Sequence, residues 1–153
     1  MKIFKRIAYC IAALAFSASI QAAEHGSPDD AVALVKKAVT YIKTHGQEKA
    51  FAEFNKSSSA FKDRDLYIVV GDLEGNMLAH GGNPRIVGKA MMNIRDADGR
   101  YFVQEIYALA NAKGKGWVNY KWVDPVSSAI EHKASYFEKA GDIIVLCGVY
   151  QQI

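Results

Sequence analysis

Ala31, Leu34, Val35, Ala38 and Ile42 recur at steps of three and four residues, which lays one hydrophobic stripe along a helix and leaves Lys36, Lys37 and Lys43 off it. Ser27, Pro28, Asp29 and Asp30 supply its start: a capping hydroxyl, a proline at the first helical position, and acids in the first turn where the helix dipole favours them. Gly46 is a natural stop. A shorter helical piece carrying Phe51 and Phe54 follows and gives way to the polar stretch Asn55 to Ser59.

From Asp65 the period changes. The run Leu66 to Val70 predicts a strand, Asp72 to Asn76 a turn, and Met77 to His80 the returning arm of a hairpin. Gly81 to Arg100 is rich in Gly, Asn, Asp and Pro and predicts a long loop with at most a short helix; loops of that length in compact domains tend to be functional. Phe102, Ile106, Leu109 and Ala110 then mark one side of a third helix over Tyr101 to Asn111. Trp117 to Val123 alternates strictly, with Val118, Tyr120 and Trp122 on one face and Trp117, Asn119 and Lys121 on the other. A strand from about Ala129 to Glu138 follows, and the unbroken apolar character of Ile143 to Tyr150 predicts a central strand covered on both faces. The economical packing is α+β: a five-stranded antiparallel sheet with helices, led by a long N-terminal helix.

The first residues read differently. Lys2, Lys5 and Arg6 precede an apolar run from Ile7 to Phe16, then small and polar residues lead to Ala22 and Ala23. This order is that of a secretory signal peptide over residues 1–22, with a single domain over 23–153. The apolar run is about half the ~20 residues a membrane-spanning helix needs. Cys10 sits early in that run, preceded by Tyr9, which excludes a lipoprotein cleavage site.

Charge changes the picture further. The formal balance of +3 comes from 19 Lys and Arg against 16 Asp and Glu, and cleavage after Ala22 removes three of the cations and none of the acids. A near-neutral remainder has no electrostatic footprint for nucleic acid, so no nucleic-acid partner is expected. Cys147 is then the lone cysteine, set in apolar surroundings, and reads as a small buried hydrophobe. His25, His45, His80 and His132 lie far apart in sequence, so no metal site is expected. The serine elbow and the phosphate-cradling loop are absent, and Gly114 to Gly116 precedes a strand where a phosphate loop would open a helix. Neither catalysis nor a cofactor is expected.

Tyr67, the turn Asp72 to Asn76, His80, Gly88 with Lys89, the glycine-led aromatic strand Gly116 to Trp122, Lys133 with Tyr136, and Gly148 to Tyr150 occur in an order that resembles the single Cache domain of type 2, over Ala31 to Tyr150. The resemblance implies a PAS-like antiparallel sheet behind a long N-terminal helix, in an extracytoplasmic sensor module, periplasmic or secreted. It also implies a pocket between the sheet and the connection 81–100, and in several relatives a small organic acid as ligand. The chain departs from the pattern at Gly81 and Gly82, where relatives commonly place a proline after the histidine.

A carboxylate ligand needs a positive charge or several donors and a confined apolar wall for its carbon chain. Lys133 supplies the charge, Tyr67 and Tyr120 hydroxyl donors and Trp122 the wall, with His80 and Tyr136 as further candidates. Arg85, Lys89 and Arg95 add cations in the long loop. Lys133 and Tyr136, three residues apart, face opposite sides of a regular strand, and only a bulge reunites them. The leading expectation is an exported binding module for a short-chain carboxylate, acting with a membrane signalling partner. The alternative is a domain for dimerisation or protein interaction, without ligand and without catalysis; a homodimer through the Asp29 to Thr44 helix is compatible with either.

Overall fold

The computed structural model describes residues 25–150, so the expected leader lies outside the described residues. The long helix runs Pro28–His45 (α1). The Ser27 hydroxyl accepts the Asp30 N–H at 3.2 Å, and the Asp30 carboxylate accepts the Ser27 N–H at 3.0 Å, a reciprocal cap. Gly46, at φ 82°, turns the chain into a second helix, Gln47–Phe54 (α2).

The expected strand Leu66 to Val70 is cut at Ile68, because its two halves have different partners. Leu66–Tyr67 (β2) folds back on Lys62–Asp63 (β1) around Arg64 at φ 55°, forming a separate two-stranded ribbon. Val69–Asp72 (β3) joins the main sheet and pairs with Met77–His80 (β4). Residues 81–100 form the expected long connection, with a single 3₁₀ turn at Pro84–Ile86. Then come Phe102–Lys113 (α3), Lys115–Val123 (β5), Ile130–Ala140 (β6) and Ile143–Tyr150 (β7). The main sheet is five-stranded and antiparallel, in the order β4-β3-β7-β6-β5, with β7 at its centre.

Each face of that sheet has its own core. On one side Ala31, Val35, Ala38 and Ile42 of α1 and Phe54 of α2 pack on Val70, Ala134, Tyr136, Ile143, Val145, Cys147 and Val149. On the other, Phe102, Val103, Ile106 and Tyr107 of α3 pack on Val118, Tyr120, Phe137 and Ile144. Strand β7 alternates between them and is buried on both sides, as its apolar run predicts. Fully burying each of its large aliphatic side chains stabilises the fold by about 1.5–3 kcal/mol. The sheet's second face is only partly covered by the 12-residue α3. A cavity remains there.

Candidate ligand-binding site

The cavity lies between the sheet, α3 and the long connection, and has a volume of about 90 Å³. Its wall is mostly apolar: Val69, Met77, Met91, Phe102, Ile106 and Leu146 contribute from five parts of the chain. The connection is fastened over it at both ends. Along β4, the Met77 N–H donates to the Lys89 carbonyl at 2.9 Å and the Gly88 N–H to the Met77 carbonyl at 2.8 Å, which brings Ile86 and Met91 to the wall. At the far end the buried Asp96 carboxylate accepts the N–H groups of Asp98 at 3.0 Å, Arg100 at 2.8 Å and Lys121 at 3.3 Å, tying the connection to β5. Burial works to raise the Asp96 pKa, but these backbone donors overcome it and hold the carboxyl below its usual range.

Polar groups converge on one side of this wall. Lys133 on β6 is only 4% exposed, and its ammonium donates to the hydroxyls of Tyr67 at 3.0 Å and Tyr150 at 3.1 Å. The same nitrogen stands 4.8 Å from the Tyr67 ring centre and 4.4 Å from that of Tyr150, so two π faces share the charge. Among the described residues no carboxylate forms an ion pair with it. Two of its three hydrogens are used in this way, and the Tyr67 hydroxyl, having accepted one, donates to no acceptor among the described residues. Burial raises the pKa of Tyr67 and of Tyr150, so both remain neutral hydroxyls across the physiological range.

His80 closes β4 beside Tyr67, with ring centres 5.0 Å apart. The Asn83 N–H donates to its Nδ1 at 2.8 Å, which places the imidazole proton on Nε2. Burial, and then the Lys133 ammonium, lower the His80 pKa to about 4. It is a neutral donor at pH 7. Gly82 makes this corner possible: a Cβ there would lie 2.8 Å from Tyr67 Cζ, so the ring packs on bare backbone. Tyr120 completes the floor, its hydroxyl 2.8 Å from Ser135 Oγ and its ring stacked on Phe102 at 4.0 Å, with Trp122 5.3 Å from Phe102.

Of the residues singled out from sequence, Tyr67, His80, Tyr120, Trp122 and Lys133 all line this one cavity. Tyr136 does not. The register of β6 against both neighbours is unbroken from Lys133 to Tyr136, so no bulge reunites them, and Tyr136 belongs to the opposite core, bonded to Glu138 at 2.6 Å. Arg85, Lys89 and Arg95 are exposed and outside the cavity wall. Cys147 faces away from the cavity into the α1 core, where burial pushes its thiol up to about 12, which removes a thiolate from the chemistry. Sequence reasoning named Gly148 and Tyr150 only as part of the family pattern, without a role beside Lys133, and did not single out Ser135. The signal was present: the tight turn at Gly141 and Asp142 fixes the β6–β7 pairing, which carries Lys133 opposite Tyr150 and Ser135 opposite Gly148.

The model of the family described as Single Cache domain 2 matches residues 9–153. The chain belongs to that family. This Cache domain is 37% identical over 90 residues to the methyl-accepting chemotaxis protein McpP of Pseudomonas putida, across 58% of the chain but 16% of that much longer protein. Its fold is that of a methyl-accepting chemotaxis protein from Vibrio parahaemolyticus, with a TM-score of 0.68 at 23% identity over 80% of this chain and 86% of that one. It is also similar to a Cache chemosensory domain studied for its recognition of carboxylic acids, with a TM-score of 0.67 at 27% identity over 81% of this chain and 92% of that one. The relatives are thus chemotaxis proteins and a chemosensory domain, which makes this chain a sensor domain of the Cache type.

Proposed function

We propose that this Cache domain is exported, its leader being residues 1–22, and that it binds a short-chain carboxylate without transforming it, passing its occupancy to a membrane signalling partner. The observation that carries this reading is the Lys133 ammonium, buried at the wall of an apolar cavity with no carboxylate in contact with it among the described residues. A charge in that setting costs several kcal/mol unless an anion pairs with it. Its third hydrogen, the Tyr67 hydroxyl and the neutral His80 Nε2–H are donors for the oxygens of one carboxylate, while Phe102, Ile106, Met91 and Leu146 receive a short carbon chain. The volume sets the size: a cavity of about 150 Å³ accommodates benzene, so the 90 Å³ found here suits a ligand with fewer heavy atoms. A second carboxylate on the ligand would meet apolar wall, which disfavours succinate against acetate and propionate. The relationship to chemotaxis proteins and to a domain that recognises carboxylic acids supports both the class of ligand and the signalling role.

Thermal unfolding against acetate, propionate, pyruvate, lactate and succinate tests the reading. A ligand at a hundred times its dissociation constant adds about 2.7 kcal/mol, worth about 10 °C for a domain of this size. A dose-dependent rise for one monocarboxylate that disappears in Lys133→Ala is the expected result. A flat response across the panel, with the fold intact, overturns it and favours an interaction domain.

A further inference from the structure

His25 stands two residues ahead of the α1 cap, between two buried carboxyl groups. Its Nδ1 is 3.0 Å from Asp65 Oδ2, and its Nε2 is 3.8 Å from Asp124 Oδ2. Asp65 Oδ1 accepts the Gly26 N–H at 2.6 Å and Asp124 Oδ1 the Val126 N–H at 2.8 Å, but Asp124 Oδ2 is fully buried with no hydrogen-bond partner among the described residues. Among the described residues, the His25 imidazolium is the cation that faces this carboxylate oxygen.

The clasp is joined to the pocket through both tyrosines that hold Lys133. Tyr67 lies two residues beyond Asp65, and the Tyr150 hydroxyl, having accepted from Lys133, donates at 2.6 Å to the carbonyl of Val123, the residue before Asp124. The Tyr150 ring is also 6.4 Å from the His25 ring. Two short paths, each a hydrogen bond or two followed by a few bonds of backbone, thus lead from the ammonium to the two carboxyl groups, and the imidazole closes the circuit ahead of α1.

We propose that His25 is a positioning and regulatory residue of the binding site: with its proton in place it offsets Asp65 and Asp124, and without it their negative charge opposes an anion arriving at Lys133. Ligand affinity and the protonation of His25 are then linked, each favouring the other. The other charged groups around His25 do not replace it. Arg64 bonds the His25 carbonyl at 3.2 Å and spends its guanidinium on Asp30 at 2.9 Å and Asp63 at 2.7 Å, while Glu131 adds a further negative charge. The hydrogen bond to Asp65, against the opposing pull of burial and with the charges of Asp65, Asp124 and Glu131, raises the His25 pKa above its usual value. The switch therefore works above pH 6.5, where His80 is already neutral.

This inference rests on the carboxylate reading for its ligand but has a test that needs none. The His25 ring resonance, assigned by its loss in His25→Gln, is followed through a pH titration by NMR in the full chain and in Lys133→Met, with Lys133→Gln as a second charge-removing variant. Removing the ammonium raises the His25 midpoint by about 0.5 pH unit, and saturating propionate raises it similarly in the unmutated chain. By linkage the propionate dissociation constant then rises about threefold across the His25 transition, and stays level over the same range in His25→Gln. Identical midpoints with and without the Lys133 charge overturn the coupling. A midpoint that moves in the lysine variants while propionate binds at no pH upholds the coupling and overturns the carboxylate reading instead.

Discussion

Gly148 sits in the middle of β7 on the face that carries the pocket, directly paired with Ser135 and one step along the face from Lys133. Glycine in a strand interior weakens the strand unless something approaches its backbone closely. Here that something is the lysine stem: a Cβ at position 148 would penetrate the van der Waals shell of Lys133 Cε, and would lie 2.7 Å from Ser135 Oγ and 3.2 Å from Lys133 Cδ. Carbon contacts relax at about 3.5–4.0 Å, so Gly148→Ala drives the end of the lysine back by about 1 Å or more. The bonds of 3.0 and 3.1 Å to Tyr67 and Tyr150 cannot both survive that retreat. A hydrogen bond to a charged group contributes about 1.5–3 kcal/mol, and overpacking costs about 1–3 kcal/mol. Gly148→Ala should therefore lower stability by about 2 kcal/mol in urea unfolding and weaken carboxylate binding by about tenfold or more in calorimetry. The double-mutant cycle with Lys133→Ala isolates the cause, because shortening the lysine removes the clash and should recover at least about 1 kcal/mol of the loss. A stability loss below about 0.5 kcal/mol with unchanged affinity, or a loss undiminished in the Lys133→Ala background, refutes the reasoning.

Two further predictions follow from the faces of the sheet and the chemistry of its edge. Tyr136→Phe removes only the bond to Glu138 on the α1 side, so it should leave carboxylate affinity within about twofold; a larger loss would return Tyr136 to the site. His80, lowered to about 4 by burial and then by the Lys133 ammonium, binds fewer protons folded than unfolded between that value and 6.5. Stability consequently falls as pH drops through this window, and His80→Gln should flatten that limb in urea midpoints measured across it; an unchanged slope counts against a buried neutral imidazole.

The architecture was legible because period and punctuation agree along most of the chain. The α1 stripe with its Ser27 cap, the strict alternation of Trp117 to Val123 and the two-sided apolar run Ile143 to Tyr150 each admit one regular element. The one misread stretch, Leu66 to Val70, fails for a reason no local pattern contains. Its residues all favour extended backbone and do adopt it, but Leu66 and Tyr67 pair with Lys62 and Asp63 while Val69 and Val70 pair with β4 and β7. Propensity names a conformation; it does not name a partner.

The site shows the same division more sharply. The family resemblance together with the needs of a carboxylate singled out Lys133, Tyr67, His80, Tyr120 and Trp122, and the fold brings these five to the wall of one cavity. Strand parity was legible as a condition, a bulge or a regular strand, whereas hairpin register and close approach were not drawn from the sequence. The unbroken register of β6 decides the first in favour of a regular strand and turns Tyr136 to the opposite face, and the turn at Gly141 and Asp142 places Tyr150 opposite Lys133, within hydrogen-bond reach of it. Gly148 belongs to neither class: its part in the site is to be absent as a side chain, so that the lysine stem can cross the backbone and reach both tyrosines. The arrangement works against stability on three counts, a glycine in a central strand, an ammonium held in the interior and a carboxylate oxygen on Asp124 with no hydrogen-bond partner among the described residues. Packing alone would replace all three with aliphatic side chains. Their joint presence along one connected path, from the cavity wall to the first residues of α1, is what a domain needs if binding an anion at one end is to be felt at the other.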